Sequence, residues 1–121
     1  MAKADTQKIV IEEQGPRDGF QSESVLVPTH LKIEWISALL EAGLTRIQVA
    51  SFVHPKRVPQ MADAEEVCAG LPASKGVTFS GLVLNGRGIE RAISSGLKHV
   101  AISHSASDTH SQKNTRLPLK D

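Results

Sequence analysis

Ala42-Gly43-Leu44-Thr45-Arg46-Ile47-Gln48-Val49 and Ser95-Gly96-Leu97-Lys98-His99-Val100-Ala101-Ile102 decide how the chain is organised. Each runs from a small residue through glycine and leucine into alternating apolar positions, and the second follows the first at an offset of 53 residues. The glycine reads as the left-handed residue just past a helix end. The alternation reads as a strand with one face on a core. A helix end, a turn and a strand, repeated at a fixed offset, describe a βα unit.

Working outward, Lys8 to Ile11 is a short β-branched run that predicts a strand. A glycine- and proline-bearing loop from Glu12 to Val27 follows. A helix is expected from Pro28-Thr29, with Thr29 as its N-cap, to Gly43. Leu31, Trp35 and Leu39, with Ile36 and Leu40, would form its apolar face. Thr45 to Phe52 predicts the second strand, Pro59 to Gly70 a second helix bearing Met61, Ala64, Val67 and Leu71, and Val77 to Leu84 a third strand. Asn85 would cap a third helix with Ile89, Ala92 and Ile93, and His99 to Ser103 a fourth strand. From His104 onward the chain is polar, with no clear helix. Strands alternating with helices predict an α/β fold with a parallel sheet, either a βα barrel or a doubly wound sheet. Four strands cannot close a (β/α)8 barrel, which takes about 250 residues. The chain reads as a small open sheet or as part of something larger.

The balance of 14 Lys+Arg against 13 Asp+Glu gives a net charge of +1, too little for binding nucleic acid by bulk charge. Aromatic residues make up only 3%, which disfavours base stacking as well. No apolar run is long enough to span a membrane, and Met1 to Lys8 shows no secretory leader. With a single cysteine, the reducing cytoplasm is the simplest compartment.

Three loops that follow predicted strands could carry chemistry, since sites in parallel α/β folds form at the carboxyl ends of strands. The first holds Arg17-Asp18-Gly19. A carboxylate there suits Mg²⁺ or Mn²⁺, and a guanidinium can stabilise a developing oxyanion. The plainer reading of the same three residues is a surface turn with a local ion pair. The second loop, Ala50 to Met61, is long for a βα turn and stiffened by two prolines. The third, Ser103 to Asn114, could bind polar or phosphate groups, or be an unstructured tail. The five histidines show no zinc spacing. Cys68 reads as a packed thiol. Gly86 and Gly88 lack the rest of a phosphate loop, and Lys113 with Arg116 reads as a solvated basic pair.

Gln14-Gly15-Pro16-Arg17-Asp18-Gly19-Phe20-Gln21 resembles the Val-Gly-Pro-Arg-Asp-Gly-Leu-Gln signature of the 3-hydroxy-3-methylglutaryl-CoA lyases. Ala50-Ser51-Phe52-Val53-His54-Pro55-Lys56-Arg57-Val58-Pro59-Gln60-Met61 is similar to their Thr-Ser-Phe-Val-Ser-Pro-Lys-Trp-Val-Pro-Gln-Met segment. Ser105-Ala106-Ser107-Asp108, with Lys113-Asn114, is similar to their loop after the fourth strand. The likeness runs from about Ile9 to Asn114.

This resemblance implies an α/β fold that is the N-terminal part, roughly the first four strands, of a (β/α)8 TIM barrel. Residues 1–121 would be a partial pyruvate carboxyltransferase-like domain, truncated after the fourth strand. It implies retro-Claisen cleavage of 3-hydroxy-3-methylglutaryl-CoA, or a related 3-hydroxyacyl-CoA, to acetyl-CoA and acetoacetate. By position, Arg17 would stabilise the enolate, Asp18 would ligate a divalent cation (Mg²⁺ or Mn²⁺), and Gln21, Gln48, Ser51 and Asn85 would support the substrate. The implied partner is an acyl-CoA, with no nucleic acid or membrane, in a cytoplasmic protein whose full-length form is a homodimer. Gln48 stands where the family has Glu, His54 where Ser is common and Arg57 where Trp is common. The family's His-x-His metal pair, Asn ligand and mobile-loop cysteine find no counterpart in the 121 residues, so the chain alone is expected to be inactive. A Claisen-type synthase or aldolase on the same scaffold is one alternative. A non-catalytic chain that pairs with a partner is the other.

Overall fold

The computed structural model describes residues 7–114. The leader reading of Met1 to Lys8 rests mostly on residues outside that range, and Arg116 lies outside it.

Three parallel strands, β1 (Arg46–Ser51), β2 (Thr78–Val83) and β3 (His99–Ile102), form one sheet in the order β1-β2-β3. Helices α1 (Thr29–Glu41), α2 (Ala64–Ala69) and α3 (Gly86–Ser94) precede the three strands in turn, and α4 (Asp108–Asn114) follows the last. Parallel neighbours need such crossovers, so α2 and α3 are topologically required. The core lies between helices and sheet and contains Ile36, Ile47, Val49, Phe52, Val67, Val83, Ala92 and Leu97. Gly43 and Gly96 take φ of +96° and +85°, the left-handed turns expected at the repeated positions.

Several expectations are corrected. Lys8 to Ile11 forms no strand, and Ile9, Val10 and Ile11 are 84%, 64% and 68% exposed. Pairing begins two residues later, as an isolated parallel bridge from Glu13 to Ile47. There Glu13 N–H donates to the Arg46 carbonyl (3.0 Å) and Gln48 N–H to the Glu13 carbonyl (2.9 Å). The β-branched run marks apolarity, whereas the hydrogen bonds are set by where the next segment turns. Pro28, not Thr29, is the N-cap of α1; Thr29 instead donates its hydroxyl to Asp63 Oδ2 (2.7 Å). Asp63 also accepts from Lys32 Nζ (2.6 Å), and it is the N-cap residue of α2 without a side-chain capping bond, its backbone breaking the expected second helix there. That segment becomes a single turn, Pro59–Met61, followed by α2. Lys32, only 3% exposed, occupies the inner face of α1 beside Ile36, while Trp35 lies outside and packs edge-on against Phe20 (5.8 Å). Ile93, expected inward, is exposed. The polar stretch after β3 forms α4, started by Ser107 Oγ accepting from the His110 N–H (3.2 Å).

Candidate functional site

The segment after the Glu13 bridge closes into a single, wide π-helical turn, Gly15–Gly19. The Gln14 carbonyl accepts from the N–H groups of Arg17 (3.1 Å) and Asp18 (2.7 Å), and Pro16 is buried beneath. This turn aims Arg17 back over β1. Its Nε donates to Gln48 Oε1 (2.6 Å), its Nη2 to Gln14 Oε1 (3.0 Å) and its Nη1 to Asp18 Oδ1 (3.1 Å). The Arg17 side chain is 14% exposed and that of Asp18 is 69% exposed. A mostly desolvated cation therefore stands beside an accessible carboxylate.

Gln48 reaches the turn from the regular part of β1, and an irregularity just after it decides which side Ser51 takes. The ladder pairs Gln48 with Ser80 but Ala50 with Gly81, so Val49 is an extra, unpaired residue. Strict alternation would send Gln48 and Ser51 to opposite faces. The bulge restores them to one face, since their partners Ser80 and Leu82 are two residues apart. Ser51 Oγ then donates to Gln21 Oε1 (3.1 Å), holding the far end of the same loop.

Beyond the carboxyl ends of the three strands lies a cavity of about 270 Å³. It is lined by Gln21, Val53, His54, Arg57, Val58, Leu82, Leu84, Asn85 and Ser103. This is the end of the sheet where parallel α/β folds place their sites. The structure thus joins Arg17, Asp18 and Gln48 directly, joins Gln21 to Ser51, and sets Gln21 and Asn85 around one cavity. Asn85 Oδ1 is committed to capping α3 through the Gly88 N–H (2.9 Å), so its amide NH₂ is the part open to a ligand.

Glu12, Gln14 and Ser80 belong to the same network but were not singled out. Glu12 Oε2 accepts from Arg46 Nε (3.0 Å) and Ser80 Oγ (3.0 Å). Burial pushes the Glu12 carboxyl up, but hydrogen bonds from Arg46, Ser80 and Gln14 outweigh it and leave the group below its ordinary value. Residue type gave no signal for Glu12, which follows an apolar run as loop acids commonly do. Cys68 is 8% exposed, and burial, helped by the charge of Glu65, pushes its thiol up to about 12. It is no nucleophile.

Among the described residues no group of three or more His, Cys, Asp and Glu side chains could hold a metal ion. Asp18 fits as one hard, accessible oxygen ligand, and Mg²⁺ would need several more. No described helix is long and apolar enough to cross a membrane.

No family model matches the chain. A hydroxymethylglutaryl-CoA lyase of Bacillus subtilis is 47% identical over 107 residues, 88% of this chain and 36% of that protein. A 3-hydroxy-3-isohexenylglutaryl-CoA/hydroxymethylglutaryl-CoA lyase of Pseudomonas aeruginosa is 45% identical over 94% of this chain and 38% of its own length. The chain therefore spans little more than a third of these relatives. Among solved structures, a Bacillus subtilis HMG-CoA lyase superposes with a TM-score of 0.88 at 44% identity, covering 93% of this chain and 38% of that one. An Acinetobacter baumannii HMG-CoA lyase in complex with coenzyme A and 3-methylmalate superposes at 0.87 with 39% identity, covering 90% of this chain and 36% of that one. These neighbours are TIM barrels, and the three-stranded sheet corresponds to part of one.

Proposed function

We infer that the chain belongs by sequence and fold to the hydroxymethylglutaryl-CoA lyase family and that it supplies part of the active site of a carbon–carbon lyase. The substrate is 3-hydroxy-3-methylglutaryl-CoA or a related 3-hydroxyacyl-CoA. Residues 1–121 make up a partial pyruvate carboxyltransferase-like domain.

In the reaction a base removes the proton of the tertiary hydroxyl, and that oxygen's electron pair forms the ketone as the carbon–carbon bond breaks. The bonding electrons leave on the thioester fragment as an enolate, which is protonated to acetyl-CoA, with acetoacetate as the other product. Arg17 is the group that meets the enolate oxygen. It is held by two neutral amide carbonyls and paired with Asp18, and its burial strengthens any anion contact. Asp18 is one ligand of a divalent cation, Mg²⁺ or Mn²⁺, which when bound would polarise the substrate oxygens. Gln21, Ser51 and Asn85 line or brace the cavity that receives the acyl portion, and Gln48 orients Arg17. The bound coenzyme A in one structural neighbour supports an acyl-CoA as the partner. The neutral Gln48, and a relative whose name includes a longer acyl group, support a substrate class wider than one thioester. One carboxylate is too few ligands for Mg²⁺, so the 121 residues alone are expected to be inactive. A homodimer in the cytoplasm, without nucleic acid or membrane, completes the proposal; relatives named cytoplasmic and mitochondrial both occur in rat.

The observation that carries this reading is the mostly desolvated Arg17 side chain held over β1 beside the accessible Asp18. The test uses the whole protein that contains this chain. Arg17→Met is expected to lower kcat by about 10²- to 10³-fold, the usual loss for an oxyanion-stabilising donor, with cation binding kept. Asp18→Asn is expected to weaken Mn²⁺ binding in a titration followed by electron paramagnetic resonance. Unchanged turnover in the first variant, or unchanged Mn²⁺ affinity in the second, would remove the corresponding assignment.

A further inference from the structure

Arg17 and Glu12 are opposite charges that do not touch in a direct pair. Two glutamines stand between them. Arg17 donates to the side-chain oxygens of Gln48 (2.6 Å) and Gln14 (3.0 Å). The amide nitrogens of the same two residues face one oxygen of Glu12, at 3.4 Å from Gln14 and a long 3.5 Å from Gln48. The orientation of both amides is forced by chemistry. A guanidinium only donates and an ionised carboxylate only accepts, so each amide must turn its carbonyl to Arg17 and its NH₂ to Glu12. The second Glu12 oxygen is tied to Arg46 on β1 and Ser80 on β2. A rigid sheet is thereby linked, through one carboxylate and two amides, to a cation on a loop.

We propose that Glu12 is a positioning residue that acts through Gln14 and Gln48: by taking both NH₂ groups it turns their carbonyls onto the Arg17 guanidinium and fixes the cation beside Asp18. Without the carboxylate, either amide can rotate and present NH₂ to Arg17, where two donors would face each other. The part of this inference that concerns turnover rests on the enolate role assigned to Arg17. The geometric part does not.

The test reads Arg17 directly. In the ¹⁵N-labelled whole protein the Arg17 Nε–H signal is identified by its loss in Arg17→Lys. Glu12→Ala is expected to shift that signal and speed its hydrogen exchange about tenfold or more. Ser95→Ala, at the far end of α3 and outside this network, is expected to leave it in place. If Glu12→Ala does not fold, Glu12→Gln keeps size and packing but brings its own NH₂ into the network, and the same shift is expected. An unchanged Arg17 signal in the folded Glu12 variant overturns the proposal.

Kinetics supply the second arm. Glu12→Gln is expected to lower kcat about ten- to a hundred-fold with KM within about threefold, the scale of a small misplacement of a catalytic group. In a Gln14→Leu, Gln48→Leu background the same change is expected to add nothing. An equal loss in both backgrounds overturns the relay. A shifted Arg17 signal with unchanged kcat upholds the positioning and counts instead against Arg17 acting in the reaction.

Discussion

Gly88→Ala is expected to destabilise the fold, against the ordinary preference of a helix for alanine. Gly88 lies in the first turn of α3, where replacing glycine normally gains about 0.5–1 kcal/mol. Here a Cβ would sit 2.8 Å from the Phe52 carbonyl oxygen and 3.4 Å from Val83 Cβ. The oxygen cannot easily yield. The Phe52 N–H is bonded to the Leu82 carbonyl (2.8 Å), and the next carbonyl, of Val53, accepts from Arg91 Nη1 (2.9 Å). Overpacking against such fixed backbone costs about 1–3 kcal/mol, leaving a net loss centred on about 1 kcal/mol after the helix gain. At a urea slope of about 1–3 kcal/mol/M this lowers the unfolding midpoint by about 0.3–1 M. Gly86, two residues earlier in the same helix, is the internal control. Its Cβ would meet nothing within 4 Å, so Gly86→Ala should match the wild type or gain up to about 1 kcal/mol. Urea unfolding of the whole protein, followed by circular dichroism, separates the two. A Gly88→Ala midpoint equal to or above that of Gly86→Ala would refute the close-approach argument.

Lys32→Met is expected to cost about 2–4 kcal/mol by chemical denaturation, since it strips the Asp63 carboxylate and the Gln60 carbonyl of a buried cation. Asp63→Asn in the same assay should also destabilise, by about 1–3 kcal/mol, because the buried ammonium keeps only neutral acceptors and loses its counter-charge. The protein should also lose stability as the pH falls below about 4.5. Glu12 and Glu65 are both held below that ordinary value, Glu65 chiefly by its hydrogen bonds from Arg91. The unfolded chain therefore takes up protons first as acid is added, and the native advantage disappears as the pH passes through the lowered folded values. Glu65→Gln should flatten this acid slope in a pH series of melting temperatures, and an unaltered slope would tell against the Glu65–Arg91 contribution.

The sequence made the βα repeat legible because its signals are local. Gly43 and Gly96 must sit at positive φ, Asn85 must cap, and Ile47 and Val83 must be buried, whatever else the chain does. Arg17, Asp18 and Gln48 were legible as candidates through their motif. What stayed hidden depends on contacts distant in sequence. Thr29 abandons its capping role because Asp63, 34 residues away, offers a charged acceptor. Lys32 takes a buried place beside Ile36 on the inner face of α1 because the same acid receives its ammonium, while Leu39 and Leu40 still pack on the core. The bulge at Val49 leaves no trace in a run of β-formers, yet it decides that Gln48 and Ser51 share a side. Glu12 joins the site only because Arg46 and Ser80, from two different strands, hold it there.

The buried thiol of Cys68 gives the protein a reporter of its own breathing. With its proton affinity near 12, only about one molecule in 10⁴–10⁵ carries the thiolate at neutral pH while α2 lies on the sheet. Once α2 lifts away, the group regains an ordinary thiol's acidity and becomes reactive. The rate at which a dilute alkylating agent marks Cys68, followed by peptide mapping, therefore reports that opening.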